Sequence, residues 1–131
     1  MQLIDTSVWL DFINKRSSAR RNEKIQGLIA NREAAWCPIV ELELQRSTRE
    51  RESALNLLGE VLQTFEIDLP IWRISFDIAR AAYRSGKTIP NTDILIYATA
   101  LHHGAFILHH DKHFDWLDEV TGKSISERMD S

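Results

Sequence analysis

The sequence contains very little cysteine and no long apolar segment. Cys37 is the single cysteine among 131 residues, which excludes an internal disulfide and a cysteine-based zinc site. We expect Cys37 to be a small buried residue in a reducing cytoplasm. No run approaches the ~18 apolar residues of a membrane span, and the opening MQLI meets Asp5 too early for a signal-peptide core. These absences predict a cytoplasmic protein that does not enter a membrane.

A strong charge of one sign is also missing. The formal net charge is -3, so the overall charge does not indicate a nucleic-acid binder. Basic residues are nevertheless concentrated locally, and the candidates for phosphate contacts are Arg20, Arg21, Arg46 and Arg49. Each cluster alone is typical of a solvated helix face. Because the chain has no repeats or low-complexity segments, its length predicts a single domain over residues 1–131.

Short apolar runs alternate with segments of helical periodicity. The runs QLI, AAWCPI, FEIDL and AFIL predict strands, with Pro38 near the end of the second. SVWLDFI predicts a helix capped by Thr6 or Ser7, and apolar stripes between the other runs predict further helices. Strands that alternate with helices predict an α/β fold, with helices on both faces of a mainly parallel sheet of four to five strands.

The segment from Thr92 to His103 predicts a helix that is apolar on nearly every side. Such a helix is buried between layers and does not lie on a surface. Asn91 or Thr92 is the expected cap, and Gly104 is the expected C-terminal stop.

Acidic residues fall at the carboxyl ends of the predicted strands, where parallel sheets form their sites. They are Asp5, Glu41, Glu43, Asp93 and Asp111. Each alone is explained as a cap, a first-turn charge or a surface acid. Together they are harder to explain, because two carboxylates ~4 Å apart repel by roughly 4 kcal/mol at an effective dielectric near 20. A cluster of this kind needs a cation or bound protons, and an oxygen-only donor set suits Mg²⁺ or Mn²⁺.

Four segments resemble the PIN-domain ribonucleases, and more narrowly the VapC-type toxins of bacterial type II toxin–antitoxin pairs. They are LIDTSVWLDF, ELQRS, GKTIPNTDILIYATALHHG and ILHHDKHF, and the resemblance spans essentially the whole chain. It implies a three-layer α/β/α PIN-like fold and an endoribonuclease that hydrolyses RNA phosphodiester bonds with Mg²⁺ or Mn²⁺. Carried over residue by residue, the catalytic acids are Asp5, Glu43, Asp93 and Asp111.

The choice of Glu43 rests on the frame of the family motif, where the acid precedes a leucine and, four residues on, often a glycine. Glu43 precedes Leu44 and has Ser47 in the glycine place, whereas Glu41 lacks this frame. On a helix the two glutamates point to nearly opposite sides, while on an extended segment they share a face.

The resemblance also implies roles for the neighbouring residues and for partners. Asp5, Asp93 and Asp111 would hold the metal, and Glu43 would bind it through water or orient the attacking water. The hydroxyl and backbone groups of Thr6 and Ser7 would support the metal or a phosphate. A cognate antitoxin, typically placing a segment across the active site, and a homodimer are implied as partners. The tryptophans either contribute to such interfaces or fill the core; they are Trp9, Trp36, Trp72 and Trp116.

The histidines of ILHHDKHF do not repeat a known zinc spacing. In the family a threonine or histidine often stands two residues before the last acid, and a second aspartate often precedes the phenylalanine. His109 takes the first of these places and His113 takes the second, which leaves one acid fewer near the metal. We expect His109 and His110 to border the site, where they can contact substrate phosphate without being essential for catalysis. We expect His102 and His103 to end a helix.

Other functions compete with the interpretation as a toxin. A PIN nuclease of RNA processing would act without an antitoxin. A non-catalytic domain that binds RNA or a partner would be expected to lack one of the four acids, and all four are present. A phosphate-accepting receiver-like domain needs paired acids after the first strand, where Asp5 is alone.

Overall fold

The computed structural model describes residues 1–47 and 52–129 of the chain. Within these residues the strands are β1 (Gln2–Ile4), β2 (Ala34–Trp36), β3 (Gln63–Thr64), β4 (Phe106–His109) and β5 (Ser126–Arg128). The helices are α1 (Thr6–Ile13), α2 (Ala19–Ala30), α3 (Pro38–Ser47), α4 (Glu52–Val61), α5 (Leu69–Arg84), α6 (Asn91–His102) and α7 (Lys112–Thr121).

The strands form one parallel sheet in the order β3-β2-β1-β4-β5. The central strand is β1, whose Leu3 pairs with Ala35 on one side and Ile107 on the other. Helices cover the sheet, which confirms the predicted α/β/α class. Since all strands run the same way, their carboxyl ends meet at one edge, which places the residues after β1, β2 and β4 together.

The core includes the central strands and the helix α6, with apolar residues of the other helices packed around them. Leu3 and Ile107 are fully buried, and every residue from 94 to 100 in α6 is buried too. This confirms the prediction of an interior helix, and Cys37 is a fully buried free thiol as expected. Among the described residues, no helix combines the length and the apolarity needed to cross a membrane.

Two predicted strands have other boundaries than expected. The run AAWCPI ends its strand at Trp36, and Pro38 begins α3, because the fixed φ of proline and its missing N–H suit the first turn of a helix. The run FEIDL is not a strand, since β3 is Gln63–Thr64. The Phe65 N–H still donates to the Trp36 carbonyl at 2.9 Å, and Asp68 caps α5.

The predicted caps at the start of α1 are wrong. Asp5 holds the cap position, and its side chain makes no capping hydrogen bond. Thr6 and Ser7 lie inside the first turn, where their hydroxyls bond to acidic side chains instead.

The start of α6 also differs from the expectation. Pro90 is the residue before the helix, so neither Asn91 nor Thr92 caps it. Its end is as predicted, because Gly104 adopts a positive φ of 65° just beyond the last turn.

Candidate active site

Asp5 directly follows the central strand and is nearly buried, with an exposed fraction of 6%. The Ser7 hydroxyl donates to its Oδ2 at 2.7 Å and lowers its pKa, and the nearby backbone N–H groups of Thr6 and Ser7, which lie outside capping geometry, act in the same direction. Burial is the largest influence and outweighs these donors, and the charge of Glu43 acts in the same direction as burial, so the pKa of Asp5 is raised. The carboxylate is therefore held in a place that disfavours its own negative charge.

Glu43 approaches this site from the second turn of α3. The Thr6 hydroxyl donates to its Oε1 at 2.8 Å, which ties α3 to the start of α1. Because the segment is helical, Glu41 points elsewhere, and it is Glu43 whose charge acts on Asp5. The structure therefore brings Glu43, the glutamate chosen from its place in the sequence, to Thr6 and Asp5.

Asp93 lies in the first turn of the buried helix α6. Its pKa is raised to about 6 by burial first and then by the negative charges of Asp5 and Asp111, while the contact with His113 lowers it. The charges of Asp5 and Asp111 therefore act on Asp93, although the three acids belong to three separate segments of the chain.

Asp111 follows β4 and caps α7. Its Oδ1 accepts the backbone N–H of His113 at 3.0 Å, and its own backbone N–H donates to His109 Nδ1 at 3.0 Å. These bonds fix the turn between strand and helix and hold the Asp111 carboxylate where its charge acts on Asp93.

His113 is the residue at this site that was not selected from the sequence. Its Nδ1 lies 3.1 Å from Asp93 Oδ2 and 3.1 Å from Asp111 Oδ1. Ionised carboxylate oxygens only accept hydrogen bonds, so a hydrogen bond from this nitrogen to either acid requires the hydrogen of the ring to be on Nδ1. The available signal was its place in the motif, where the family often has a further acid.

The donor atoms fit a divalent cation. Among the described residues, the side chains that bring three possible ligand atoms within 4.8 Å of one another are those of Asp93, Asp111 and His113. Asp5 is not part of this closest group, although its charge acts on Asp93. Carboxylate oxygens with one imidazole form a donor set that binds divalent ions of the first transition row as well as hard ions.

The expectation that His109 borders the site and contacts substrate is wrong. It is fully buried, so it cannot touch a substrate phosphate, and burial lowers its pKa. Because its Nδ1 accepts the Asp111 N–H, the proton of the neutral ring is on Nε2, which lies 3.3 Å from Asp115 Oδ1. His109 therefore supports Asp111 from inside the protein.

The other histidines have partners outside the acidic cluster. His110 Nε2 lies 3.3 Å from Asp11 Oδ2. His102 is in the last turn of α6 and His103 follows as its C-cap, where the His103 ring stacks on Phe65 with a centroid distance of 4.4 Å. Both are at the end of a helix, as predicted.

The structure places basic side chains on several helices around the sheet. Arg20 is exposed in the first turn of α2, where Arg21 is half-buried, and Arg46 is exposed in the last turn of α3. Arg49 lies outside the described residues. Two lysines that were not selected from the sequence lie over the Trp116 ring: Lys87 Nζ is 4.6 Å and Lys112 Nζ 5.1 Å from its centroid.

Trp116 connects these lysines to the acidic cluster. Its ring meets the ring of His113 edge to face, with the centroids 5.5 Å apart. The two lysines lie on an aromatic ring that contacts His113, and His113 in turn contacts the acids. Cationic side chains in this place form a surface suited to a phosphate backbone.

Comparisons with known proteins agree with this geometry. The profile of the PIN domain matches residues 3–120. Ribonuclease VapC11 of Mycobacterium tuberculosis is 32% identical over 127 residues, which cover 92% of this chain and 94% of that protein.

Solved structures show the same fold at lower identity. VapBC2 from Rickettsia felis, solved bound to a DNA fragment from the promoter, superposes with a TM-score of 0.80 at 18% identity, covering 98% of both chains. DNA-bound VapBC from Salmonella typhimurium gives a TM-score of 0.77 at 16% identity, covering 97% of this chain and 96% of that one. PIN-domain nucleases generally use divalent metal ions. The protein described here, which is similar to the VapC ribonucleases over nearly its whole length, belongs to the PIN-domain family.

Proposed function

We propose that this protein is a metal-dependent endoribonuclease and the toxin of a toxin–antitoxin pair. The observation that carries the proposal is the convergence of Asp93 and Asp111 with His113, whose ligand atoms lie within 4.8 Å of one another, in the field of Asp5. A fold that brings acids together at the edge where parallel sheets form their sites is suited to a cation and a phosphoryl substrate. The similarity to ribonuclease VapC11 supports RNA as the substrate.

Each acid has a distinct part in this proposal. Asp93 and Asp111 hold a divalent ion, Mg²⁺ or Mn²⁺, and Asp5 contributes to the same charge. When bound, such an ion activates water and neutralises charge at the phosphorus. Glu43, fixed by the hydroxyl of Thr6, orients the attacking water and accepts its proton.

Ser7 and Thr6 position the acids. Each hydroxyl donates one short hydrogen bond, to Asp5 Oδ2 at 2.7 Å and to Glu43 Oε1 at 2.8 Å. Each of these bonds engages one oxygen of its carboxylate, which is the arrangement expected for groups that orient metal ligands.

An acidic site repels RNA, so basic side chains must hold the phosphate backbone. We assign this role to arginines near the helix ends and to the two lysines on Trp116: Arg20, Arg21, Arg46, Lys87 and Lys112. Arg49 remains a candidate from the sequence alone.

The proposed partners are an antitoxin and a second copy of the chain. The likeness to solved VapBC proteins supports the first. An apolar surface on α5 supports an assembly interface, because Trp72 is 43% exposed and Phe76 is 61% exposed on one side of that helix. Trp9 and Trp36 are buried and serve the core instead.

The test is cleavage of a mixed cellular RNA pool by the purified protein with Mg²⁺, Mn²⁺, Zn²⁺ or EDTA. We expect cleavage with Mg²⁺ or Mn²⁺, none with EDTA, and a loss of at least about 100-fold in Asp93→Asn. Asp77→Asn is the matched control, because Asp77 is exposed on α5 and is not part of the acidic cluster.

Two results would contradict the proposal. One is that Asp93→Asn and Asp77→Asn cleave RNA at equal rates. The other is the absence of cleavage with every metal by folded protein that is free of antitoxin. Co-purification with the product of a neighbouring small gene, and inhibition by it, would separate a toxin from a nuclease of RNA processing.

A further inference from the structure

His113 stands at the position where the resemblance to the PIN-domain ribonucleases implies that an aspartate is common, and its place in the structure gives this difference a chemical meaning. We propose that His113 is a ligand of the active-site metal and makes this site select Mn²⁺ over Mg²⁺. The inference rests on the proposed function, because it concerns the ion that the same acids hold.

The distances around His113 fit a shared ion. Its Nδ1 is 3.1 Å from one oxygen of Asp93 and 3.1 Å from one oxygen of Asp111. Two neighbouring ligands of an octahedral ion, each bound at about 2.1 Å and set at a right angle, are about 3 Å apart. An ion that replaces the proton on Nδ1 would therefore find the nitrogen at a suitable distance from each of the two carboxylate oxygens, with all three ligand atoms within 4.8 Å of one another.

The ring of His113 is held in this position before any ion binds. Its backbone N–H donates to Asp111 Oδ1 at 3.0 Å, which fixes the first turn of α7. The edge-to-face contact with Trp116 restrains the ring, and the exposed fraction of the side chain is 22%. Metal-ligating histidines are typically oriented in this way by the residues around them.

The selectivity follows from the donor atom. Mg²⁺ is a hard ion that strongly prefers oxygen, whereas Mn²⁺ accepts carboxylate oxygen and also binds imidazole better than Mg²⁺ does. The aspartate that the family often carries at this position would add a negative oxygen donor and favour Mg²⁺. A neutral imidazole in its place removes one charge and one oxygen, which weakens Mg²⁺ binding more than Mn²⁺ binding.

The experiment compares the unchanged protein with His113→Asp and with the control His102→Asp. His102 ends α6, more than two turns away from Asp93, so the control makes the same chemical change outside the cluster. Mn²⁺ binding is measured by electron paramagnetic resonance, and Mg²⁺ affinity by competition against bound Mn²⁺. Pulsed measurements detect a nitrogen bound directly to Mn²⁺, and protein with isotope-labelled histidine assigns that nitrogen to an imidazole.

We expect a histidine nitrogen coupling in the unchanged protein and in His102→Asp, and its loss in His113→Asp. The preference for Mn²⁺ over Mg²⁺ should fall by about tenfold in His113→Asp and stay unchanged in the control. If His113→Asp fails to fold, the labelled unchanged protein still decides whether an imidazole binds the ion.

Bound Mn²⁺ without a histidine coupling would overturn the inference, as would an ion preference that His113→Asp leaves unchanged. If cleavage of RNA then still depends on Asp93 and a divalent ion, the proposed function stands and only the role of His113 fails. A histidine coupling in a protein that cleaves no RNA would support the role of His113 and contradict the proposed function. A protein that binds no divalent ion would overturn both.

Discussion

Two aspartates on neighbouring helices differ in the partners that the fold provides. Asp118 on α7 receives hydrogen bonds from the Tyr97 hydroxyl at 2.8 Å and from the backbone N–H groups of Ile125 and Ser126, each at 3.1 Å. Asp93 on α6 has carboxylates as neighbours, with His113 as the compensating contact, and its pKa is raised to about 6.

The difference shows how one residue type serves structure in one place and chemistry in another. Donors from α6 and from β5 converge on Asp118, so its charge stabilises the attachment of the edge strand to the helix layer. The cluster around Asp93 brings negative charges together with few donors, which costs free energy in the folded protein, and a bound cation would offset that cost.

The largest expected change in stability comes from Asp118→Asn. The amide offers one acceptor oxygen in place of two and turns an N–H₂ group toward backbone donors, so we expect a loss of about 2–3 kcal/mol in the free energy of unfolding. Urea denaturation measures this loss. A change below about 0.5 kcal/mol would mean that the bonds of Asp118 contribute no more than those of a surface side chain.

Asp93→Asn is expected to have the opposite sign. In EDTA at neutral pH, removal of the crowded charge should raise the free energy of unfolding by about 1–2 kcal/mol, which is less than the full pKa shift implies because the contact with His113 is lost as well. Denaturation of both proteins in the same buffer measures the difference. Destabilisation by Asp93→Asn would show that Asp93 is a structural acid like Asp118.

The pH dependence of stability should differ between the unchanged protein and Asp93→Asn. The pKa of Asp93 in the folded protein, about 6, is above its ordinary value of 3.8, so the folded state binds the proton more tightly than the unfolded state does. Asp93 therefore contributes stability below pH 4, and this contribution is lost as the pH rises through 6. Asp5 acts in the same direction, while the lowered pKa of His109 acts in the opposite one.

Comparison of the unchanged protein with Asp93→Asn cancels the contribution of His109, whereas Asp5, whose charge acts on Asp93, stays part of the difference. In EDTA, the advantage of Asp93→Asn should be near zero at about pH 4 and approach its full 1–2 kcal/mol near pH 7. An advantage that does not vary with pH would contradict the assignment of the raised pKa to Asp93.

The convergence of the acids could largely be predicted from the sequence. One parallel strand ends directly before Asp5 and another ends two residues before Asp111, which brings both residues to one edge of the sheet whatever the details of packing. The sequence could not predict that α3 is a helix, which is what places Glu43 beside Thr6. Pro38 begins this helix, but proline occurs near strand ends as well as in first helical turns.

The network of Asp118 was out of reach for a different reason. Its backbone donors belong to β5 and the residue before it, and β5 is an edge strand of three residues without an apolar pattern, which no periodicity argument detects. His113 was missed because its role depends on the distance between the first turns of α6 and α7, and sequence spacing carries no information about that distance.

The most direct test of the contrast between the two aspartates is the change in melting temperature when Mn²⁺ replaces EDTA. An ion that binds only the folded state raises the melting temperature by an amount that grows with the ratio of its free concentration to its dissociation constant. We predict an increase of several degrees in the unchanged protein and in Asp118→Asn, and almost none in Asp93→Asn. An equal increase in Asp93→Asn would contradict the claim that the crowded acids at the edge of the sheet form the metal site.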